Sequence, residues 1–234
     1  MKKLILVVLV FALASWWLKD STISVPTNDV SFDYIIKHSG TGSSNDSLPM
    51  LIALHGSGDK AKHFYDTTLD QMTVPARIVL IQGPLSYGGG NAWPWTPADF
   101  SHYGKPLSEA SELLAQKYPT VGKPILMGFS SGAMMAYYQA AKYGDRYSYI
   151  FPVSGQLTDA MLGDGDLSPG AQVFAFHGKS DAVVPFSGGK NAVKILQANG
   201  ANVKFTAFAG GHHGIFMDMK TEITQAIEQK IESL

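Results

Sequence analysis

The sequence predicts an α/β fold with a mostly parallel central sheet and helices on both faces. Three observations point to it. Six short apolar runs recur without strict alternation, as expected of strands covered on both sides. Stretches with apolar residues three and four apart separate several of them. Glycine-rich segments follow several of the runs, where doubly wound sheets place their ligand-binding loops. A chain of 234 residues with 45% hydrophobic content has enough apolar material for one such domain, and we assign it residues 30–234.

In chain order, residues 31–37 alternate in polarity and read as a first strand, and residues 39–47 (SGTGSSNDS) as a surface turn. The buried runs are residues 50–54, 77–81, 124–127, 149–153, 173–176 and 203–208. Helices are predicted over residues 105–118, 132–143, 188–198 and 217–233, from spacings such as Leu107, Leu113 and Leu114 or Ile223, Ala226 and Ile227. Residues 87–91 and 161–170 are read as glycine-rich loops over the carboxyl edge of the sheet.

Composition excludes several classes of function. The net charge of −1, without a basic block beyond the first residues, gives no footprint for nucleic acid. The absence of cysteine excludes disulfides, thiolate catalysis and thiolate-bound zinc. At the N-terminus, Lys2 and Lys3 precede the apolar residues 4–13 and the small-residue site Ala12-Leu13-Ala14. This pattern is that of a signal peptide over residues 1–14, with an end near residue 18 or an uncleaved anchor as the alternatives. The expected location is secreted or periplasmic, with membrane contact only if the segment stays attached.

The pentapeptide Gly128-Phe129-Ser130-Ser131-Gly132 lies between a predicted strand and a predicted helix, the setting of a nucleophile elbow. A serine there could equally be a plain helix cap, so its surroundings decide. A serine nucleophile needs a base, an orienting carboxylate and donors for an oxyanion. His55-Gly56-Ser57-Gly58 ends an early strand and leaves backbone N–H groups free, with the N–H of Ser131 as a second donor. Asp181 lies in a loop after another strand, with Asp159 a distant substitute, and the pair His212-His213 follows the last strand. The order Ser, Asp, His is that of the α/β-hydrolases.

The segments LHGSGD (54–59), GGGNAW (88–93), GFSSGAMM (128–135), HGKSDAVVPF (177–186) and GGHHGI (210–215) together resemble the carboxylesterase/phospholipase, acyl-protein thioesterase-like family of α/β-hydrolases. The resemblance implies Ser130 as nucleophile, Asp181 as the orienting carboxylate, and Ser57 with Ser131 as oxyanion donors. Ser131 stands where the family commonly has glutamine, a change that leaves the backbone donor intact. We assign the base to His213 rather than His212, because it forms the His-Gly-Ile run and sets Asp218 at the opening of the last helix; only one imidazole can meet both Ser130 and Asp181. His55 and His177 are read as structural rings bonding strand-end loops. Trp93 and Trp95 are candidate walls of an acyl pocket, and Met134 and Met135 are core candidates.

The resemblance implies hydrolysis of carboxylic esters through an acyl-enzyme, without metal or organic cofactor, on a small-molecule or lipid-like ester. The alternatives are a thioesterase or lysophospholipase, an esterase of polysaccharide esters with the same residues, and a hydrolase-fold binding protein without turnover. The sequence ranks no oligomeric state.

Overall fold

The computed structural model describes residues 23–212 and 214–234. The predicted signal peptide and His213 lie outside the described residues. An eight-stranded sheet forms the centre, in the order β1-β2-β4-β3-β7-β8-β9-β10. Strands β1 (Ile23–Pro26) and β2 (Ser31–Ser39) are antiparallel to each other, and β2 is antiparallel to β4 (Ala76–Ile81). From β4 onward, through β3 (Leu48–Leu54), β7 (Thr120–Phe129), β8 (Tyr149–Val153), β9 (Gln172–Gly178) and β10 (Val203–Phe208), every pairing is parallel.

The buried strands still obey a period of two, because each face meets a different helical layer. In β3, Met50, Ile52 and Leu54 enter one core while Leu51 and Ala53 enter the other. The first core is closed by α2 (Pro97–Lys117), α3 (Ser131–Lys142) and α5 (Phe186–Ala198), through residues such as Leu107, Met135 and Leu196. The second is closed by the short α1 (Ala61–Phe64) and by α7 (Lys220–Ile231), through Phe64, Ile223 and Ile227. Full burial of each such side chain contributes about 1.5–3 kcal/mol.

Three local readings change. Residues 87–91 are not simply a loop: β5 (Leu85–Tyr87) and β6 (Gly90–Ala92) form a hairpin whose turn residues Gly88 and Gly89 have φ of 58° and 81°. Two successive positive-φ residues are what a type I′ two-residue hairpin turn requires. Helix α2 starts at Pro97 instead of residue 105, with Thr96 accepting from the Asp99 N–H and proline at the start, where its missing N–H is not needed. Gly104 and Pro106 interrupt its apolar period; a Cβ on Gly104 would lie 2.2 Å from the Tyr138 ring, so glycine there admits the α2–α3 contact. The C-terminal helix is broken at Met219 into α6 (Ile215–Asp218) and α7.

Candidate active site

The loops after β3, β7, β9 and β10 all emerge at the carboxyl edge of the parallel strands, and this gathers distant sequence segments. At the end of β7 the chain turns into α3 through Ser130, whose φ of 55° and ψ of −117° put it outside the regions that residues with side chains favour. Such a conformation costs on the order of 1–3 kcal/mol and persists only where neighbours hold it. Here Gly128 and Gly132 let backbone approach backbone. A Cβ on Gly128 would lie 2.2 Å from the Gly132 carbonyl oxygen, and one on Gly132 would lie 2.4 Å from that of Leu54. The Ser130 N–H donates to the Val153 carbonyl at 3.0 Å. Its side chain makes no capping bond to the helix, so the plain-cap reading does not describe it.

Instead, Ser130 Oγ lies 2.9 Å from His212 Nε2, and His212 Nδ1 lies 2.7 Å from Asp181 Oδ2. All three residues are buried. The other oxygen of Asp181 accepts the N–H groups of Val183 at 2.9 Å and Val184 at 2.8 Å, so the loop's own backbone orients the carboxylate. Asp159 lies elsewhere, in the short α4 (Asp159–Leu162) after β8. The imidazole between Ser130 and Asp181 is therefore His212, not His213 as we expected. The Gly-His and His-Gly-Ile patterns overlap in sequence, and a shift of one position in a loop changes which ring faces the serine.

Two further histidines brace the loops. His55 Nδ1 bonds the Gly56 carbonyl at 2.7 Å, and its Nε2 accepts the Gly83 N–H at 2.9 Å, which places the ring hydrogen on Nδ1. In a trans peptide the N–H points opposite to the carbonyl, so this bond turns the Ser57 N–H away from the His55 ring. Burial holds the His55 imidazole below its ordinary range. On the far side, His177 Nε2 donates to the Val184 carbonyl at 2.9 Å and lies 3.4 Å from Asp181 Oδ2, tying the aspartate loop to β9. Gly56 sits against the site: a Cβ there would be 3.3 Å from that of Ser130. The N–H of Ser131 belongs to the first turn of α3, where backbone donors have no partner within the helix. The Ser131 hydroxyl accepts the backbone N–H of Trp93 at 3.4 Å.

A cavity of about 860 Å³ opens over Ser130. Trp95 lines it, 42% exposed, in edge contact with Tyr87 at 5.2 Å. Trp93 does not line it. It is fully buried, stacked on Phe32 at 6.0 Å, and belongs to the core; two positions along an extended segment share a face only while it stays extended, and the chain turns toward α2 here. Met135 is core, whereas Met134 reaches the cavity. Several wall residues escaped the sequence reading: Phe64, Thr67 and Thr68 from α1 and the π-helical turn Tyr65–Leu69 that continues it, Val183 and Val184, and Phe216 of α6. Phe64, Thr67 and Thr68 stand at helical spacing, but two of the three are polar, so a search for apolar periodicity could not reveal that wall.

This sheet, with the sharp strand-to-helix turn at Ser130 and the hydrogen-bond chain from Ser130 through His212 to Asp181, defines an α/β-hydrolase fold. The family model of phospholipases and carboxylesterases matches residues 109–231, more than half of the chain, and the protein belongs to that family. The family is one of carboxylic ester hydrolases. Among solved structures, the protein is similar to the esterase PE8, at 22% identity over 82% of this chain and 99% of that one, with a TM-score of 0.69. It is also similar to a carboxylesterase from Bacillus cereus, at 16% identity over 86% and 94% with a TM-score of 0.67. Acyl-protein thioesterase 2 of Zea mays is similar at 22% identity over 85% and 98%, with a TM-score of 0.60. At these identities the likeness is one of fold. No curated protein matches the chain.

Proposed function

We propose that the protein hydrolyses carboxylic esters by acyl transfer through Ser130, His212 and Asp181. The observation that carries the reading is the unbroken hydrogen-bond chain from Asp181 Oδ2 through His212 to Ser130 Oγ, at 2.7 and 2.9 Å. The carboxylate keeps the ring hydrogen on Nδ1, leaving Nε2 free to take the serine proton. Ser130 Oγ then attacks the ester carbonyl, and the negative charge that develops on the carbonyl oxygen is met by the N–H groups of Ser57 and Ser131. His212 returns the proton to the leaving alcohol. Water, activated by the same imidazole, releases the acid from the acyl-serine. The role given to His213 on sequence passes to His212.

Ser130→Ala should remove turnover of chromogenic esters while the protein melts normally, and an unchanged rate would sink the mechanism. His212→Ala should be inactive and His213→Ala active; the opposite result would return the base to His213. Export rests on the N-terminal segment, and fractionation of cells producing the full chain tests it.

A further inference from the structure

We infer that the substrate lies across Ser130 with an apolar, aromatic-sized alcohol portion on the side of Phe216 and its acyl portion toward Trp95 and Tyr87. The inference rests on the acyl-transfer reading above. The cavity carries two separate aromatic groups. One surrounds the base: the Phe129 ring lies 4.9 Å from the His212 ring and 4.8 Å from that of Phe216, and Phe64 lies 6.0 Å from Phe216. The other is Tyr87 at the end of β5 with Trp95 on the segment between β6 and α2; Tyr87 lies against the oxyanion loop, where a Cβ on Gly58 would meet its ring at 3.9 Å.

The chemistry tells these two ends apart. In the tetrahedral intermediate, the carbonyl carbon bonds Ser130 Oγ, the oxyanion, the acyl carbon and the leaving oxygen. His212 Nε2 must protonate that leaving oxygen, so the alcohol portion leaves on the His212 side, among the phenylalanines. The acyl portion takes the remaining direction, toward Trp95, Tyr87 and Met134. A sugar or a phosphate-bearing alcohol would set its polar groups against phenyl rings, where their hydration is lost without replacement. Phe64 and Phe129 are buried and back the half-buried Phe216, which presents the phenyl surface, and Thr67 and Thr68 add only two hydroxyls on that side; the wall therefore favours esters of apolar alcohols over those of glycerol or polysaccharide.

The test compares kcat/KM by acid release for ethyl acetate, 2-phenylethyl acetate (larger alcohol), ethyl 3-phenylpropanoate (larger acyl) and glycerol monoacetate. The wild type should prefer 2-phenylethyl acetate to glycerol monoacetate, and the reverse preference overturns the substrate class. Phe216→Ala, with Phe216→Leu in case the first fails to fold, should lower the 2-phenylethyl preference over ethyl acetate about tenfold. The 3-phenylpropanoate preference should stay within about threefold. Trp95→Ala should do the converse. Crossed effects, or no effect on either ratio, overturn the orientation. Serine-dependent turnover with the wrong selectivity refutes this inference alone, whereas turnover that survives Ser130→Ala refutes the mechanism beneath it.

Discussion

The substitution Asp181→Asn replaces one oxygen by an NH₂ group and should almost abolish catalysis. Asp181 Oδ1 accepts two backbone N–H groups, at 2.9 and 2.8 Å, and Oδ2 accepts the His212 Nδ1 hydrogen at 2.7 Å. In the variant the amide oxygen must stay with the two loop donors, because an NH₂ group there would face donors only. The NH₂ group then faces His212, whose Nδ1 can accept from it only by giving up its own hydrogen. The ring proton moves to Nε2, and an Nε2–H imidazole cannot take the proton of Ser130. A wrong tautomer of this kind lowers kcat by about 10⁴ in a triad, or about 5.4 kcal/mol at 1.36 kcal/mol per tenfold. Folding loses little, since a charged acceptor becomes a neutral one in an otherwise intact loop. We expect a loss of about 1 kcal/mol, or about 2–4 °C in a domain of this size. The assay pairs kcat on a chromogenic ester with a thermal melt. A normally melting Asp181→Asn protein within tenfold of the wild-type kcat would refute the tautomer argument.

Gly132→Ala puts a methyl group 2.4 Å from the Leu54 carbonyl oxygen and 2.6 Å from that of His55, so α3 and the end of β3 must separate by roughly 1 Å. We expect about 1–3 kcal/mol of lost stability and about a hundredfold lower kcat from the displaced donors; unchanged melting and rate would refute the close approach. Stability should also fall with acid because of His55. The buried ring is held below its ordinary pKa of 6.5, so above that pH folding carries no protonation penalty, and stability is lost as pH falls from there through the folded pKa. Urea midpoints measured from about pH 7.5 to about pH 5 should decline, less steeply in His55→Gln; a steeper decline in the variant would contradict this.

Much of the molecule was legible along the chain. The apolar runs predicted six strands of the sheet because burial on both faces leaves a continuous apolar signature. The glycines of residues 128–132 marked the elbow because only residues without a Cβ let strand, helix and the neighbouring β3 come so close. The hairpin of β5 and β6, the early start of α2 and the π-helical turn were not legible. Each depends on backbone dihedrals or helix interruptions that polarity patterns do not register.

The sequence by itself determined the order of the chemistry: a glycine-rich loop after an early strand, then a serine elbow, then an aspartate loop, then a histidine pair. These are local facts of residue type and spacing. Only the tertiary structure placed His212 between Ser130 and Asp181, since that meeting joins three segments far apart in the chain. It likewise decided that Trp93 stacks on Phe32 in the core while Trp95 faces the cavity, and that Phe64, Phe129 and Phe216 meet beside His212. Those outcomes depend on contacts between segments far apart in the chain, which the close packing of the interior specifies and no local pattern encodes.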